Sequence, residues 1–258
     1  MPNKYLNYET LYLTSSSGKD KNVAIIRFGH ESHFWSTNRH PWGTRFEEHR
    51  FNLETLDSFT SIMDRIESDA SLVGLVITGR GKFFSNGLDI EFIKQNPNKA
   101  QEIQLCLESI MKRLLNLPMI TVAAINGHCT ATGAILSLCC DCRIMTDLGL
   151  FFVPAVDLGI VYSQGMIEVM KAKIKDPNLQ RDMILLSRRY SSRDLLEYGV
   201  VSQVCSQDEL IENSIEYIHK NWKKHGGSYG CVRARLYKNA IDMLSKTSDM
   251  GWDRFSKL

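Results

Sequence analysis

An apolar run, a glycine-rich turn and a helix start follow one another over residues 74–94. Residues 74–78 are typical of a buried strand because they are apolar and largely β-branched, and glycines mark the turn over 79–87. Residues 88–94 have the apolar spacing of a helix, and Asp89 suits its first turn, where a carboxylate meets unpaired N–H groups. Such an arrangement can direct backbone N–H groups at a ligand oxygen, although many α/β proteins use it only as a connection.

The same pattern returns further along the chain. Residues 120–125 predict another buried strand, the next three residues predict a turn, and an apolar helix begins over residues 131–138. Small residues again allow close backbone approach at a helix N-terminus. Apolar segments at 141–147 and 150–154 predict further strands. Two such elements in the same order indicate a protein family rather than a chance connection.

The rest of the pattern predicts two early strands and otherwise helices. The early strands span residues 9–13 and 23–28, and two amphipathic helices span residues 51–68 and 101–117. From residue 164 onward the pattern predicts helices alone, over residues 166–174, 179–187, 192–198, 207–224 and 229–245. The sequence contains neither GxGxxG nor GxxxxGK[ST], so a nucleotide-binding fold has no support from a phosphate loop.

Composition narrows the class of protein without identifying it. With 43% hydrophobic and 23% charged residues, the 258-residue chain is expected to be soluble and globular, with a length that suits one domain or one and a half. A net charge of +2 gives no reason to expect nucleic acid as a partner. No apolar run approaches the length of a membrane span, and no signal region is expected. Seven cysteines without paired spacing predict free thiols in a reducing compartment rather than a disulfide framework or a zinc site.

The two strand–turn–helix elements resemble those of the crotonase (enoyl-CoA hydratase/isomerase) superfamily. The resemblance extends from about residue 23 to about residue 204, and it is carried by residues 84–89 (Phe-Ser-Asn-Gly-Leu-Asp), 117–128, 133–144 and 157–160. Within the superfamily, residues 84–89 and 181–186 are similar to Δ3,Δ2-enoyl-CoA isomerases, particularly plant-type peroxisomal ones.

The resemblance implies an α/β fold of a specific kind. It implies a crotonase-like spiral of repeated ββα units over residues 1–190. An all-helical region over residues 191–258 is then expected to cap the active site and to build a homotrimer. The expected ligand is an acyl-CoA thioester, with no cofactor other than the coenzyme A of the substrate.

The implied site stabilises an enolate oxygen with backbone N–H groups. A thioester makes its α-proton acidic only if that oxygen is stabilised, and by motif position the donors are the amides of Leu88 and Thr132. Most members of the family have Gly or Ala where this chain has Thr132. The expected contacts to substrate and coenzyme A come from neighbouring motif positions, namely Ser85, Asn86, Gly87, Asp89 and Gly133.

Residues 29–50 are unusual because they contain four of the seven histidines and two of the four tryptophans. His30 and His33 could share one face and bind a metal, but no Cys or carboxylate spacing completes a ligand set, so no metal is expected. The resemblance instead implies contacts to coenzyme A in this region. Arg50 is the favoured residue, with Arg27 and Arg45 as alternatives.

The general base of the family is missing. The glutamate that isomerases or hydratases carry corresponds here to Ala155, Ile135 or Ser163, none of which can take a proton as a carboxylate does. Losing a general base typically lowers the rate by a factor of about 10²–10⁴. A displaced base could be Asp157, which is the catalytic candidate, or Glu168, although Asp157 also suits a structural role.

Three hypotheses about activity remain open. The first is an active Δ3,Δ2-enoyl-CoA isomerase of unsaturated fatty-acid β-oxidation with a displaced base. The second is a silent acyl-CoA-binding or assembly protein, and the third is another reaction of CoA thioesters.

The final residues Ser256, Lys257 and Leu258 match the address that the peroxisomal import receptor recognises, which predicts a peroxisomal location.

Overall fold

A computed structural model describes residues 6–13, 21–28, 48–222, 227–246 and 250. Twelve strands lie in these residues: β1 (Leu6–Leu13), β2 (Lys21–Phe28), β3 (Arg50–Phe51), β4 (Leu72–Thr78), β5 (Phe83–Ser85), β6 (Gly87–Leu88), β7 (Ile120–Ile125), β8 (His128–Thr130), β9 (Cys142–Thr146), β10 (Leu150–Phe152), β11 (Tyr190–Ser191) and β12 (Gln203–Cys205).

The same residues contain ten α-helices. They are α1 (Leu53–Ser68), α2 (Ile90–Gln95), α3 (Ala100–Asn116), α4 (Ala131–Leu138), α5 (Gln164–Lys173), α6 (Pro177–Gln180), α7 (Ser192–Glu197), α8 (Leu210–Asn221), α9 (Gly227–Leu236) and α10 (Lys238–Leu244).

Two layers of sheet organise the chain. The larger sheet has the order β1-β2-β4-β7-β9-β12, and only its β1–β2 pair is antiparallel. The smaller sheet has the order β11-β10-β8-β5. Successive units place one strand in the larger sheet, the next strand in the smaller sheet and then a helix, as in β4–β5–α2, β7–β8–α4 and β9–β10–α5. The predicted α/β spiral of repeated ββα units is therefore confirmed.

Helix α1 illustrates how local sequence fixes an element. Asn52 and Thr55 form a reciprocal capping box, in which the Asn52 side chain accepts from the Thr55 N–H and the Asn52 N–H donates to Thr55 Oγ1. One face of the helix is buried, and α1 packs against α3. Arg113 of α3 joins the two helices through ion pairs with Asp64 and Glu67.

Helix α4 is buried over nearly all of its length, and its C-terminal carbonyls are held by cationic side chains. Arg143 donates to the carbonyls of Ser137 and Cys140, and Arg233 of α9 donates to the carbonyl of Cys139. Lys173 also donates to the carbonyl of Cys140, at 2.9 Å. Burial, with a further contribution from the charge of Arg143, lowers the pKa of Lys173 to about 7. These contacts supply partners for a helix end that would otherwise be buried without them.

The C-terminal part is largely helical, as predicted, but it is not helical throughout. Two short strands interrupt it, because β11 pairs with β10 and β12 pairs in parallel with β9. The predicted helix over 179–187 is α6 followed by a π-helical turn over Arg181–Leu185, and the predicted helix over 229–245 is divided into α9 and α10. The division of the chain at residue 190 stays a prediction.

All seven cysteines lie in described segments, and all are free thiols, as the sequence predicts. Burial raises the pKa of Cys129, Cys139 and Cys140, so these thiols stay protonated. Among the described residues, no helix is both long and apolar enough to cross a membrane.

We expect Arg233→Met to destabilise the fold. Arg233 is buried, forms an ion pair with Asp141 and donates to three backbone carbonyls and to Thr121. Removing the guanidinium leaves these buried groups unpaired, which should lower the free energy of unfolding by about 3 kcal/mol in urea titrations. Arg235→Met, on the exposed side of the same helix, is the matched control and should change it by less than about 0.5 kcal/mol. Equal effects of the two substitutions would contradict this account of how α9 docks.

Candidate active site

The first predicted turn lies between β5 and α2. Gly87 has a φ of +80°, which L-residues with a side chain rarely adopt. Its neighbour Leu88 belongs to β6, which pairs in parallel with β3, and Asp89 donates its N–H to the carbonyl of Phe51 at 2.9 Å. Since successive N–H groups along a strand point to opposite sides, the N–H of Leu88 points away from β3.

The second predicted turn lies at the start of α4. Ala131, which precedes Thr132, has a φ of +52°. Like Gly87 before Leu88, it therefore has a left-handed backbone conformation directly before an expected donor. Thr130 is the N-cap, but its side chain does not accept a hydrogen bond from the helix. Its hydroxyl instead donates to Oδ1 of Asn86 at 2.7 Å. In the described part of the chain no side chain caps the first N–H groups of α4, which is the arrangement that leaves a helix N-terminus open to an anion.

The two turns are in contact. A β-carbon placed on Gly87 would lie 2.7 Å from the β-carbon of Ala131 and 3.0 Å from the backbone nitrogen of Thr132. Only a glycine fits at position 87, because the missing side chain allows the backbone of Gly87 to lie against the amide of Thr132. The turns that carry the two expected donors therefore meet.

A cavity of about 440 Å³ opens beside the two turns. Most of its lining is apolar, and polar side chains lie at intervals around it, as is usual in a small-molecule site. Its lining residues are Arg50, Asn86, Leu88, Ile90, Lys94, Thr130, Ala131, Thr132, Phe152, Pro154, Ala155, Asp157, Leu158, Ile160, Tyr162 and Met250. Another depression, lined by residues of α1 and α3 and of the segment before α3, includes neither turn.

The structure brings five of the predicted site residues to this cavity, namely Leu88, Thr132, Asp157, Arg50 and Asn86. The other four do not line it: Gly87 forms the contact between the turns, and Ser85, Gly133 and Asp89 support the turns. Ser85 donates from its hydroxyl to the carbonyl of His49 and accepts from the N–H of Gly87. Gly133 packs against Ser85, since a β-carbon there would lie 2.8 Å from Ser85 Oγ. Asp89 is buried and caps α2 by accepting from the N–H of Phe92.

A chain of polar contacts ties the rim of the cavity to both turns. Arg50 forms an ion pair with Glu48, and the same carboxylate accepts from Nδ2 of Asn86 at 2.9 Å. Asn86 in turn accepts from Thr130, at the start of α4. Lys94 of α2 supplies a second cation on the lining. Of the alternative arginines, Arg27 lies in β2 and does not line the cavity, while Arg45 falls outside the described residues.

The three positions at which a catalytic glutamate was expected differ in whether they line the cavity. Ala155 lines it, whereas Ile135 is fully buried within α4 and Ser163 caps α5. Asp157 lines the cavity and is exposed. Glu168 does not line it, because its carboxylate accepts from Gln164 and Lys171 on the surface of α5.

Two polar residues near this region carried no signal in the sequence analysis. Tyr162 lines the cavity, but a lone tyrosine among apolar residues looks like ordinary core. Glu108 is buried on the inner face of α3 beside Gln104 and Ser163, and burial raises its pKa. Glu108 does not line the cavity, so it is not placed to take a proton from a ligand there.

No group of three or more metal-ligating side chains is present among the described residues. His30, His33 and His40 lie outside those residues, so the prediction that this segment binds no metal is untested. His49 is described, and its Nε2 lies 2.9 Å from the carbonyl oxygen of Arg80.

Comparisons with known proteins agree with this architecture. Residues 47–258 match the family model described as enoyl-CoA hydratase/isomerase. The chain is 32% identical over 200 residues to the peroxisomal enoyl-CoA delta isomerase 1 of Arabidopsis thaliana, which covers 75% of this chain and 83% of that protein. It is also 32% identical over 163 residues to the mitochondrial enoyl-CoA delta isomerase 1 of mouse, covering 62% and 56% of the two chains. An enoyl-CoA isomerase structure from Mycobacterium tuberculosis shares the fold, with a TM-score of 0.76, 18% identity, and coverage of 100% of this chain and 99% of that one.

The contact between the turns predicts a difference between two glycine substitutions. Gly87 and Gly81 both have a positive φ, but a β-carbon on Gly81 would meet no atom within 4 Å. Both alanine variants should therefore bear about 1–2 kcal/mol of backbone strain, and Gly87→Ala should bear about 1–3 kcal/mol more from overpacking. Chemical denaturation of the two variants measures this difference. Similar losses of stability would show that the turns do not depend on close approach at Gly87.

Proposed function

Because this chain belongs to the enoyl-CoA hydratase/isomerase family, we propose that it is a Δ3,Δ2-enoyl-CoA isomerase-like protein that acts on fatty acyl-CoA thioesters in the β-oxidation of unsaturated fatty acids. The observation that carries the proposal is the contact between the two turns that present the amides of Leu88 and Thr132 beside an apolar cavity. The similarity to enoyl-CoA delta isomerases of Arabidopsis favours isomerisation over hydration.

The two amides form the oxyanion hole in this proposal. The thioester oxygen sits between the N–H groups of Leu88 and Thr132, where negative charge develops when the proton on C2 is removed. A preorganised backbone donor of this kind is worth about 3–4 kcal/mol in the transition state. The uncapped N-terminus of α4 adds a positive electrostatic potential at the same point, which favours the negatively charged oxygen.

Coenzyme A binds at the rim in this proposal. Arg50 and Lys94 provide positive charge where phosphates of the coenzyme would leave the cavity, and Glu48 orients the Arg50 guanidinium. The acyl chain extends along the apolar lining formed by Phe152, Pro154 and Ile160.

If the protein is an active isomerase, Asp157 is the proposed general base. Isomerisation moves one proton from C2 to C4 while the C3=C4 double bond becomes C2=C3, so one carboxylate can take the proton and return it. Asp157 supplies a carboxylate on the cavity lining, whereas Glu168 is held in surface contacts on α5. The methyl group of Ala155 leaves the usual position of the base without a proton acceptor.

A silent acyl-CoA-binding or assembly protein is the alternative. It is favoured by the exposure of Asp157, since a solvated carboxylate on a loop is less constrained than a buried one. A different reaction of CoA thioesters would use the same oxyanion hole with another acid or base.

We expect purified protein to convert a 3-enoyl-CoA to the conjugated 2-enoyl-CoA. The rise in ultraviolet absorbance of the conjugated product measures the reaction. Asp157→Asn should lower kcat by a factor of about 10²–10⁴ because the proton acceptor is lost. It should leave the affinity for a non-reactive acyl-CoA nearly unchanged. Glu168→Gln is the matched control, because Glu168 lies off the cavity lining, and it should retain the activity.

The outcomes separate the alternatives. An inactive wild type that still binds acyl-CoA supports the silent form, and Ala155→Glu should then create activity by placing a carboxylate on the lining. A fully active Asp157→Asn variant would contradict the assignment of the base. Absence of acyl-CoA binding in calorimetry would contradict the proposed function as a whole.

The proposed location is the peroxisome, and the proposed partner there is the import receptor that binds Ser256, Lys257 and Leu258. These residues lie outside the described part of the chain, so the support comes from the sequence and from the peroxisomal Arabidopsis relatives. An N-terminal fluorescent fusion should be peroxisomal in a eukaryotic cell, and deleting the three residues should make it cytosolic. Punctate fluorescence that survives the deletion would refute the address.

The proposed assembly is a homotrimer built through the C-terminal helical region. Several large apolar side chains in that region are exposed in the single chain, as expected of a surface that associates, including Leu196, Tyr198, Val232 and Leu236. A monomeric mass in light scattering would rule out this assembly.

A further inference from the structure

One face of the smaller sheet continues from the lining of the cavity. In β10, Phe151 is buried, whereas Leu150 and Phe152 on either side of it are half-buried, so these two point to the outer face of the sheet. Phe152 lies opposite Thr130 of β8, and both residues line the cavity. A ligand that extends past Phe152 therefore leaves the cavity along this outer face.

Arg189 lies beyond Phe152 on the same face. Strand β11 pairs with β10 so that Tyr190 lies opposite Phe151, and the same register places Arg189 opposite Phe152. The Arg189 side chain is exposed, and its guanidinium carbon lies 4.8 Å from the centre of the Phe152 ring. Arg189 does not itself line the cavity. Its guanidinium is therefore reached by a ligand that is long enough to extend past Phe152.

The strand register sets the length of acyl chain that reaches Arg189. Neighbouring strands are about 4.8 Å apart, so two strand spacings separate the backbone of Thr130 from that of Arg189 by roughly 10 Å. Thr130 lies close to the Thr132 amide that is proposed to bind the thioester oxygen. A carbon–carbon bond is about 1.5 Å long and advances a zigzag chain by less than that, so about eight bonds span this distance. The last carbon of a ten-carbon acyl group can therefore lie beside Arg189, whereas a six-carbon group ends before it.

The far end of this path is positively charged. Among the residues that the structure describes, no carboxylate forms an ion pair with Arg189 or with Lys82. The adjacent Arg188, by contrast, is paired with Asp182. Burial lowers the pKa of His128, and the charges of Lys82 and Arg189 lower it further, so both cations lie close enough to act on one imidazole. A hydrocarbon chain gains nothing from this charge, but a carboxylate at its end does.

We propose that the cavity takes CoA monothioesters of long-chain dicarboxylic acids, with the Arg189 guanidinium binding the terminal carboxylate and Lys82 adding positive charge. This inference rests on the proposed binding of acyl-CoA thioesters and names a substrate class of the same site. A guanidinium suits this role because it can form two parallel hydrogen bonds to a carboxylate. The terminal carboxylate is far from C2 and C4, so it does not alter the proposed isomerisation, and chains without it still bind along the apolar lining.

The charge at the end of the chain gives the proposal a definite sign. Moving a carboxylate from water to apolar surroundings is unfavourable, so a cavity without a suitable cation binds a dicarboxylic thioester more weakly than its monocarboxylic analogue. Asp157 places a carboxylate on the lining, which disfavours the dicarboxylic ligand further. Arg50 and Lys94 also line the cavity, but in the proposed function they contact the phosphates of coenzyme A. Tighter binding of the dicarboxylic ligand therefore requires a cation beyond the lining.

The test measures by calorimetry the affinities for decanoyl-CoA, decanedioyl-CoA, hexanoyl-CoA and hexanedioyl-CoA. These saturated ligands cannot be isomerised, so binding is observed alone. Wild-type protein should bind decanedioyl-CoA about three- to tenfold more tightly than decanoyl-CoA, as expected of a charge-assisted pair that is partly exposed. Hexanedioyl-CoA should bind no more tightly than hexanoyl-CoA, because its carboxylate ends before Arg189. High salt should reduce the ten-carbon preference by screening the charges.

Substitutions at two adjacent arginines locate the effect. Arg189→Gln removes the charge and should reduce the ratio of the two ten-carbon affinities to one or below, while Arg189→Lys should keep part of the preference. Arg188→Gln is the matched control, because Arg188 is also exposed but pairs with Asp182 and lies over the ring of Tyr190, and it should keep the ratio. The ratio is taken within each variant, so a general change in affinity cancels.

His128 reports where the carboxylate binds. Because Lys82 and Arg189 lower its pKa, a carboxylate bound beside them should raise it again. In NMR titrations the pKa of His128 should therefore be higher with decanedioyl-CoA than with decanoyl-CoA. Both ligands carry the phosphates of coenzyme A, so these cannot cause the difference. An equal pKa of His128 in the two complexes would place the carboxylate elsewhere and contradict the proposal.

The outcomes are distinct from those of the proposed function. If wild-type protein binds decanedioyl-CoA no more tightly than decanoyl-CoA, this inference is overturned while acyl-CoA binding stands. A preference that survives Arg189→Gln, or that Arg188→Gln removes to the same extent, also overturns it. If no thioester binds, the proposed function fails together with this inference. The wild-type ratio remains decisive even if a variant does not fold.

Discussion

The rest of the site depends on the approach of Gly87 to the first residues of α4. This contact brings together two turns from successive units of the spiral, and it requires the left-handed backbone at Gly87 and at Ala131. Alanine is the smallest side chain that can occupy the second position, and any side chain at the first would collide with it. The layered sheets hold the turns in register, since β5 and β8 pair in parallel directly before them. The geometry of the two amides is therefore set by backbone and packing rather than by reactive side chains.

Helix α4 also explains why several charged side chains are buried away from the cavity. Helix α4 carries no charged side chain, and its uncapped N-terminus and buried C-terminus leave backbone groups in need of partners. At the C-terminal end, Arg143, Arg233 and Lys173 donate to its carbonyls, and Asp141 balances part of their charge. At the N-terminal end, none of the described side chains performs that task. The helix is thus satisfied at one end by the protein and left available at the other for a ligand.

The sequence predicted the parts of this arrangement that have a local signature. Glycine spacing and apolar runs located both turns, and the positions of Leu88 and Thr132 followed from motif order. Strands of two or three residues, such as β11 and β12, have no period that a pattern can detect, and they form because neighbouring strands offer an edge. Ser85 and Gly133 have motif positions beside the donors, yet they pack against each other beneath the turns, since spacing does not give direction. Tyr162 comes to the cavity from a segment after β10 whose path only tertiary structure reveals.

In the proposed function, binding of the thioester oxygen and transfer of the proton depend on separate parts of the structure. The turns are held by Gly87, by the parallel pairing of β3 with β6, and by the contacts that link Arg50, Glu48, Asn86 and Thr130. None of these contacts involves Ala155 or the loop that carries Asp157. A substitution at Ala155 or Asp157 is therefore expected to change the proposed proton transfer without disturbing the two turns. In the proposed function the amides of Leu88 and Thr132 bind the thioester oxygen whatever the acyl chain, so the apolar side chains that line the cavity would determine which thioester is bound.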